Sequence, residues 1–404
     1  MVNVYIAGCR GVPMGYGGYE SFVDKLVTYQ QDSGIQYHIA SLDDPRYEKC
    51  RYRSAVCIPH SVPKLGPLTM VVFDLMALRT FVRRIRAEKP ENPVVYVLTC
   101  RIGPFFGHYV RQLHRLGAVV CLNPDGHEWK RRKWNALVRA YWKLSERLMV
   151  TKADLNICDS REIERYIREE YKSRAPRTTF IAYGADVSRS EGAQEAYHAW
   201  CASKGIAPDD YYLVVGRFVP ENNYETAIRE FMASGTARQL VLLTNSEENK
   251  FMRRLRKTTG FDKDPRIVFA GTVYEAQLVK RIREGAIAYI HGHEVGGTNP
   301  SLLEALASTP VNLLIDVPFN REVGQDAALY FSKTPGSLGG LIQKTDAMAA
   351  EQREELAARA TSRIITAYAS RDISVRYEAL FNRIASEEDG FASVGTEGNI
   401  PMEG

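Results

Sequence analysis

Several glycine-rich segments, each directly after an apolar run, hold the residues best suited to chemistry. Gly296-Gly-Thr-Asn-Pro-Ser-Leu-Leu-Glu304 follows the run that ends at His291. Pro300 suits the first position of a helix, with Thr298 or Asn299 as its cap. The N–H groups of Gly296, Gly297, Thr298 and Asn299 then form a cradle for an anion. Ser301 and Glu304 share one helix face. A carboxylate there does not favour phosphate, so Glu304 is assigned to sugar hydroxyls. Gly216-Arg-Phe-Val-Pro-Glu-Asn-Asn223 follows another apolar run. Arg217, at a strand end, can hold a diphosphate bidentately. Asn222 or Asn223 can cap the next helix while reaching into a cleft. In the first loop, Gly8 to Glu20, glycines at 8, 11, 15, 17 and 18 let the backbone approach a ligand closely. The dinucleotide fingerprint Gly-x-Gly-x-x-Gly does not occur there.

Asn123-Pro-Asp-Gly-His-Glu-Trp129 also follows a strand pattern. Asp125 and Glu128 suit a base or the orientation of an acceptor hydroxyl; an Asp-Gly turn is the plainer explanation. Next come Trp129, Lys130, Arg131, Arg132, Lys133 and Trp134. Tryptophans beside clustered bases suit an anionic membrane interface. The same pattern fits a solvated helix whose tryptophans pack inward. His291 and His293 have no third ligand in the sequence, so they read as polar cleft lining rather than a metal site.

Elements of alternating type must position these loops. In the first half, strands are expected at Asn3–Ala7, Tyr37–Ala40, Val94–Leu98 and Val119–Leu122. The helices there are Glu20–Tyr29, Val71–Arg86, Pro104–His114 and Lys133–Val150. In the second half, strands at Tyr211–Val215, Arg238–Thr244, Arg266–Ala270 and Ala286–His291 alternate with helices Asn223–Ala233, Glu247–Lys257, Tyr274–Glu284 and Pro300–Ala307. Continuous apolar strands imply parallel sheets buried on both faces. The expectation is an α/β chain of two doubly wound, Rossmann-like domains facing across a cleft, with ligands beyond the carboxyl ends of the strands. Residues 1–190 form the first domain and 191–372 the second. A helix at 373–385 crosses back to the first, and 386–404 form an acidic, disordered tail.

A chain of 404 residues, 45% apolar and 25% charged, is ordinary for a globular protein of two domains. The longest apolar stretch, Leu68 to Leu78, contains Asp74 and is too short to span a bilayer. The N-terminus reads as a strand rather than a signal peptide. The seven cysteines are scattered without a Cys-x-x-Cys, so reduced thiols in a cytoplasmic protein are expected. The net charge of +5 understates the basicity of the body, because Glu387, Glu388, Asp389, Glu397 and Glu403 all lie in the tail. A basic body suits an anionic partner.

Together these motifs resemble family 4 glycosyltransferases of the GT-B fold, in particular a bacterial rhamnosyltransferase branch with an N-terminal domain of unknown function. Beyond the segments already quoted, Ala153-Asp, Asp159-Ser160, Tyr183-Gly-Ala-Asp186 and Pro318-Phe-Asn-Arg-Glu-Val323 carry the resemblance, which spans about residues 3 to 332. It implies a metal-independent, retaining transfer of L-rhamnose from dTDP-β-L-rhamnose to a lipid-diphosphate-linked sugar, in cell-wall or capsular polysaccharide synthesis at the inner leaflet. It assigns Arg217 to the diphosphate, Glu304 to the nucleotide ribose or deoxyribose, and Gly271 to Val273 to the base. Gly17 and Gly18 would approach the donor. Asp125 would face the acceptor, with Arg10, Tyr16, Glu20 and His127 around it. The broad family carries a glutamate where Gly296 stands, and a lysine in the region of Glu221, Asn222 and Asn223. A UDP-hexose donor, an epimerase or hydrolase of the same fold, and a non-catalytic nucleotide-sugar-binding subunit are the other readings. Nucleic-acid binding would explain the basic segment but not the glycine-rich loops.

Overall fold

The computed structural model describes residues 1–13, 17–124, 126–131 and 134–386. The chain divides into two compact units. The first comprises 1–130, 134–184 and the helix that begins at Ser370; the second comprises 185–369 with Arg131.

The first unit runs β1 (Val2–Ala7), α1 (Gly18–Thr28), β2 (Ile35–Leu42), β3 (Arg51–Tyr52), β4 (Ala55–His60), α2 (Thr69–Glu88), β5 (Val94–Val97) and α3 (Gly103–His114). It continues through β6 (Val119–Leu122), α4 (Ala136–Val150), β7 (Leu155–Cys158), α5 (Arg161–Glu170) and β8 (Thr178–Phe180). Among the described residues these strands form an eight-stranded sheet in the order β3-β4-β2-β1-β5-β6-β7-β8. Only the β3–β4 pair is antiparallel. Side-chain alternation sorts the two faces. Tyr5, Ala7, Val95 and Val97 join a core with Phe73, Phe81, Phe106 and Ile163 from the helices. Tyr96 points the other way, 6.4 Å from Phe22 of α1.

The second unit runs α6 (Gln194–Lys204), β9 (Tyr211–Val215), α7 (Tyr224–Ser234), β10 (Gln239–Leu243), α8 (Lys250–Thr259), β11 (Ile267–Phe269), α9 (Ala276–Glu284) and β12 (Ala286–His291). It continues through α10 (Pro300–Leu306), β13 (Val311–Ile315), α11 (Pro318–Gly324), β14 (Leu329–Phe331), α12 (Ser337–Asp346) and α13 (Ala350–Ala367). Its six-stranded sheet, in the order β11-β10-β9-β12-β13-β14, is parallel. Tyr212, Val214, Leu240 and Leu242 face one core, and Tyr211, Leu213, Val241 and Leu243 face the other. That two-sided burial explains why these strands read as unbroken apolar runs. Each fully buried Leu or Val among them contributes about 1.5–3 kcal/mol.

The last helix, α14 (Ser370–Ser386), belongs to the first unit. Its Phe381 lies 6.1 Å from Tyr96 and its Tyr377 5.0 Å from Phe22. Glu378 fixes the turn after α1 by accepting from the N–H groups of Gln31 (2.8 Å) and Asp32 (3.1 Å). The expected acidic tail, 387–404, lies outside the described residues. Among the described residues no helix is long and apolar enough to cross a membrane.

Candidate functional site

In the second sheet β9 lies between β10 and β12. The chain leaves β9 to one side and later returns on the other, which makes the carboxyl ends of β9 and β12 the switch point where such sheets take ligands. The segments 216–223 and 291–299 emerge there, and side chains fasten them together. The Asn223 amide donates to the Gly292 carbonyl at 2.8 Å. Asn222 Oδ1 lies 2.7 Å from His293 Nδ1, and its amide nitrogen donates to the Arg217 carbonyl at 2.7 Å. The Glu294 N–H donates to the Glu221 carbonyl at 3.1 Å. Gly292 is required for this approach, because a Cβ there would stand 2.3 Å from the Asn222 carbonyl oxygen. From below, Asn320 donates to the carbonyls of His293 (3.1 Å) and Ile315 (3.0 Å).

Asn222 and Asn223 were expected to cap α7. Neither side chain does: Asn223 occupies the cap position in a left-handed conformation with φ 51°, and its amide is committed to Gly292. The loop-to-loop tie, not the helix end, explains the Asn-Asn pair. Arg217 is exposed at the end of β9. Asn299 caps α10 as expected, accepting from the Ser301 N–H at 2.9 Å. The N–H groups of Gly296 and Gly297 donate to no group among the described residues. Thr298 is buried.

Ser301 and Glu304 do share one face of α10. Glu304 Oε2 lies 2.6 Å from Nη2 of the buried Arg283 in α9. The same guanidinium stands 3.5 Å from Ser301 Oγ, which meets the Tyr289 hydroxyl at 3.1 Å. Tyr289 in turn donates to the Val215 carbonyl at 3.1 Å. Neither Arg283 nor Tyr289 carries a local signal: Arg283 looks like any base in the last turn of an amphipathic helix. His291 is buried and neutral, with its pKa pushed down to about 3 by loss of hydration. Burial also carries His293 well below its ordinary value, with His291 adding to the effect. Gly271 follows β11 with φ 80°, and Val273 packs against the core beside Val268. Among the described residues no group of three or more His, Cys, Asp or Glu side chains is arranged to hold a metal.

The first unit treats its motif residues differently. Glu20 was expected beside an acceptor. Its carboxylate turns inward and accepts from the Arg10 N–H at 2.9 Å, with 6% of the residue exposed. Gly17 makes room for it at φ 143°, because a Cβ there would stand 2.0 Å from Glu20 Oε2. Gly18 is the first residue of α1, and the Arg10 side chain is exposed. Tyr16, Asp125, Arg132 and Lys133 lie outside the described residues.

His127 was likewise expected to face an acceptor. Its ring packs edge-on against Tyr166 at 4.2 Å, and burial lowers its pKa to about 4. The expected helix at Lys133 begins instead at Ala136, capped by Asn135. Trp129 and Trp134 therefore precede the helix, and both are half-buried. Trp129 receives the Lys143 ammonium 4.7 Å from its ring. Trp134 donates to Glu128 at 3.0 Å and lies 6.3 Å from Trp142. Arg131 is buried, while Lys130 is exposed. Sequence reasoning also missed two buried carboxylates. Glu146 accepts from the hydroxyls of Tyr166 and Tyr171, each at 2.5 Å. Asp74 pairs with Arg101 at 3.1 Å.

Residues 1–186 match the model of a domain of unknown function, DUF1972. No curated protein matches the chain. Solved structures are similar along nearly its whole length. Sucrose-phosphate synthase from Thermosynechococcus elongatus is 17% identical with a TM-score of 0.72, covering 95% of this chain and 99% of its own. A trehalose-6-phosphate protein from E. coli bound with UDP-2-fluoro glucose is 10% identical with a TM-score of 0.69, covering 96% and 99%. Anabaena HepE in complex with UDP is 10% identical with a TM-score of 0.65, covering 95% and 99%. The fold is that of the GT-B glycosyltransferases.

Proposed function

We propose that the chain is a retaining, metal-independent glycosyltransferase that moves a hexosyl group from a nucleoside-diphosphate sugar to an acceptor hydroxyl. The observation that carries this reading is the pair of fastened loops at the β9/β12 switch point, with exposed Arg217 at the end of β9 and the Glu304 carboxylate one turn into α10, the helix that follows the second loop. Arg217 takes the diphosphate, and Glu304 accepts from the nucleoside sugar. As the anomeric C–O bond breaks, charge builds on the departing diphosphate. The Arg217 guanidinium and the N–H groups of Gly296 and Gly297 stabilise that charge. The acceptor oxygen bonds to the anomeric carbon on the same face, and its proton passes to a diphosphate oxygen. The products are a glycoside of unchanged configuration and a nucleoside diphosphate.

The donor in this reading is dTDP-β-L-rhamnose and the acceptor a lipid-diphosphate-linked saccharide at the inner face of the membrane, which suits the basic body of the chain. Membrane residence rests on the acceptor lipid rather than on the Trp129–Trp134 segment, whose tryptophans pack onto Lys143 and Trp142. A UDP-hexose donor is the second reading, favoured by the UDP and UDP-2-fluoro glucose bound to HepE and the E. coli protein. Mass spectrometry of a lipid-diphosphate-GlcNAc acceptor incubated with either donor separates them. A gain of one deoxyhexose from dTDP-rhamnose supports the first reading, a gain of one hexose from UDP-glucose supports the second, and an unchanged acceptor contradicts both.

A further inference from the structure

We propose that Arg283 is a specificity-determining positioning residue, which acts through Glu304 to favour a 2′-deoxynucleotide over a ribonucleotide donor. The inference rests on the reading of Glu304 as the acceptor for the nucleoside sugar. A carboxylate grips a vicinal diol best with both oxygens, one for each hydroxyl. Glu304 does not offer both equally. Its Oε2 lies 2.6 Å from Arg283 Nη2, which takes one of that oxygen's two acceptor positions and turns it toward the protein interior. Arg283 is 7% exposed and so nearly stripped of water. Pulling Oε2 away would leave a buried charge without its counter-ion.

Further contacts resist a swing of the pair. Arg283 Nη2 also faces Ser301 Oγ, which is tied to the Tyr289 hydroxyl. The Arg283 carbonyl accepts from Thr309 Oγ1 at 3.0 Å. Among the described residues nothing donates to Glu304 Oε1, and the side chain keeps 26% of its surface. Oε1 is therefore the oxygen with both acceptor positions open. It matches the single ring hydroxyl of a deoxyribose; the extra 2′ hydroxyl of a ribose would lose water there without gaining a charged acceptor.

UDP and dUDP differ only in that hydroxyl, which keeps the thymine methyl out of the comparison. Isothermal titration of the full chain with each should find dUDP bound at least as tightly as UDP. Arg283→Met frees Oε2 and should shift the ratio toward UDP by about fivefold or more, while Arg283→Lys, which keeps the cation, should retain the wild-type order. A merely structural role would weaken both nucleotides alike and leave the ratio unmoved. The wild-type and lysine titrations decide the matter if the methionine variant does not fold. UDP bound more tightly than dUDP by the wild type, or a ratio unchanged in Arg283→Met, overturns the inference while leaving the site reading intact. Failure of both nucleotides to bind, or binding indifferent to Glu304→Gln, overturns the site reading and the inference together.

Discussion

Three helix-borne carboxylates of the first unit and one of the second differ in how far the protein fills their acceptor positions. In the first, Glu20, Asp74 and Glu146 are all buried, and each is surrounded by donors from its own unit: the Arg10 N–H, the Arg101 guanidinium, and the hydroxyls of Tyr166 and Tyr171. In the second, Glu304 pairs one oxygen with Arg283, and among the described residues nothing donates to the other. A carboxylate beside a glycine-rich loop is thus not a ligand site by its type alone. What decides is how many of its acceptor positions the protein fills.

The largest expected effect falls in the second unit. Arg217→Ala should lower turnover of the nucleotide sugar by about 10²- to 10³-fold, the usual loss when a donor to a developing anion is removed; steady-state kinetics check it. If Arg10→Ala costs as much, the contrast between the two loops breaks. Next, Arg101→Met should destabilise the first unit by about 3 kcal/mol, because Asp74 is left charged and buried. Pairing it with Asp74→Asn should restore much of that loss in denaturant titrations. Third, Glu304→Ala should weaken nucleoside-diphosphate binding by roughly 10- to 100-fold, and it should also lower the melting temperature because the buried Arg283 loses its counter-ion. Glu20→Ala should cost about 1–3 kcal/mol of stability with binding unchanged, since the Arg10 N–H loses its acceptor.

The smallest effect concerns pH. Burial holds His127 neutral with a pKa of about 4 against its ordinary 6.5. The unfolded chain therefore takes up this proton first. Its share of the stability is full above pH 6.5 and falls as the pH drops toward 4, by about 1 kcal/mol over the first unit of that fall, alongside like shares from buried His291 and His293. His127→Phe should flatten this slope in melting curves recorded between pH 7 and pH 5.

Much of the frame was legible because periodicity is local. Tyr211–Val215, Val119–Leu122 and Ala286–His291 were each read with the bounds they have, since a strand buried on both faces is an unbroken apolar run closed by a glycine or polar loop. The expected elements leave out β3, β4, β7, β8, β13 and β14 and the helices α5, α11, α12 and α13; β7 and β8 are short and interrupted by polar Asn156 and Thr178 or Thr179. They also place no helix between the expected boundary at 190 and the strand at Tyr211, yet α6 lies there with Tyr197 and Cys201 buried. Its weak amphipathic pattern hid it.

At the site, Arg217, Glu304 and the Asn299 cap could be found from motif and position. The partners that give them meaning could not. Arg283 reaches Glu304 across 21 positions of sequence and Asn223 reaches Gly292 across 69, and no local pattern encodes such a pairing. The inward turn of Glu20 escaped for the same reason, and the tryptophans could be read either way: whether a polar or aromatic group faces solvent depends on donors and rings brought by other elements.

The most direct measurement is nucleoside-diphosphate release from a panel of nucleotide sugars, with and without a lipid-diphosphate-GlcNAc acceptor, for the wild type and Arg217→Ala. The account predicts release from dTDP-rhamnose that requires the acceptor and nearly vanishes in the variant. Equal release without acceptor, release untouched by the variant, or no release from any donor would contradict it.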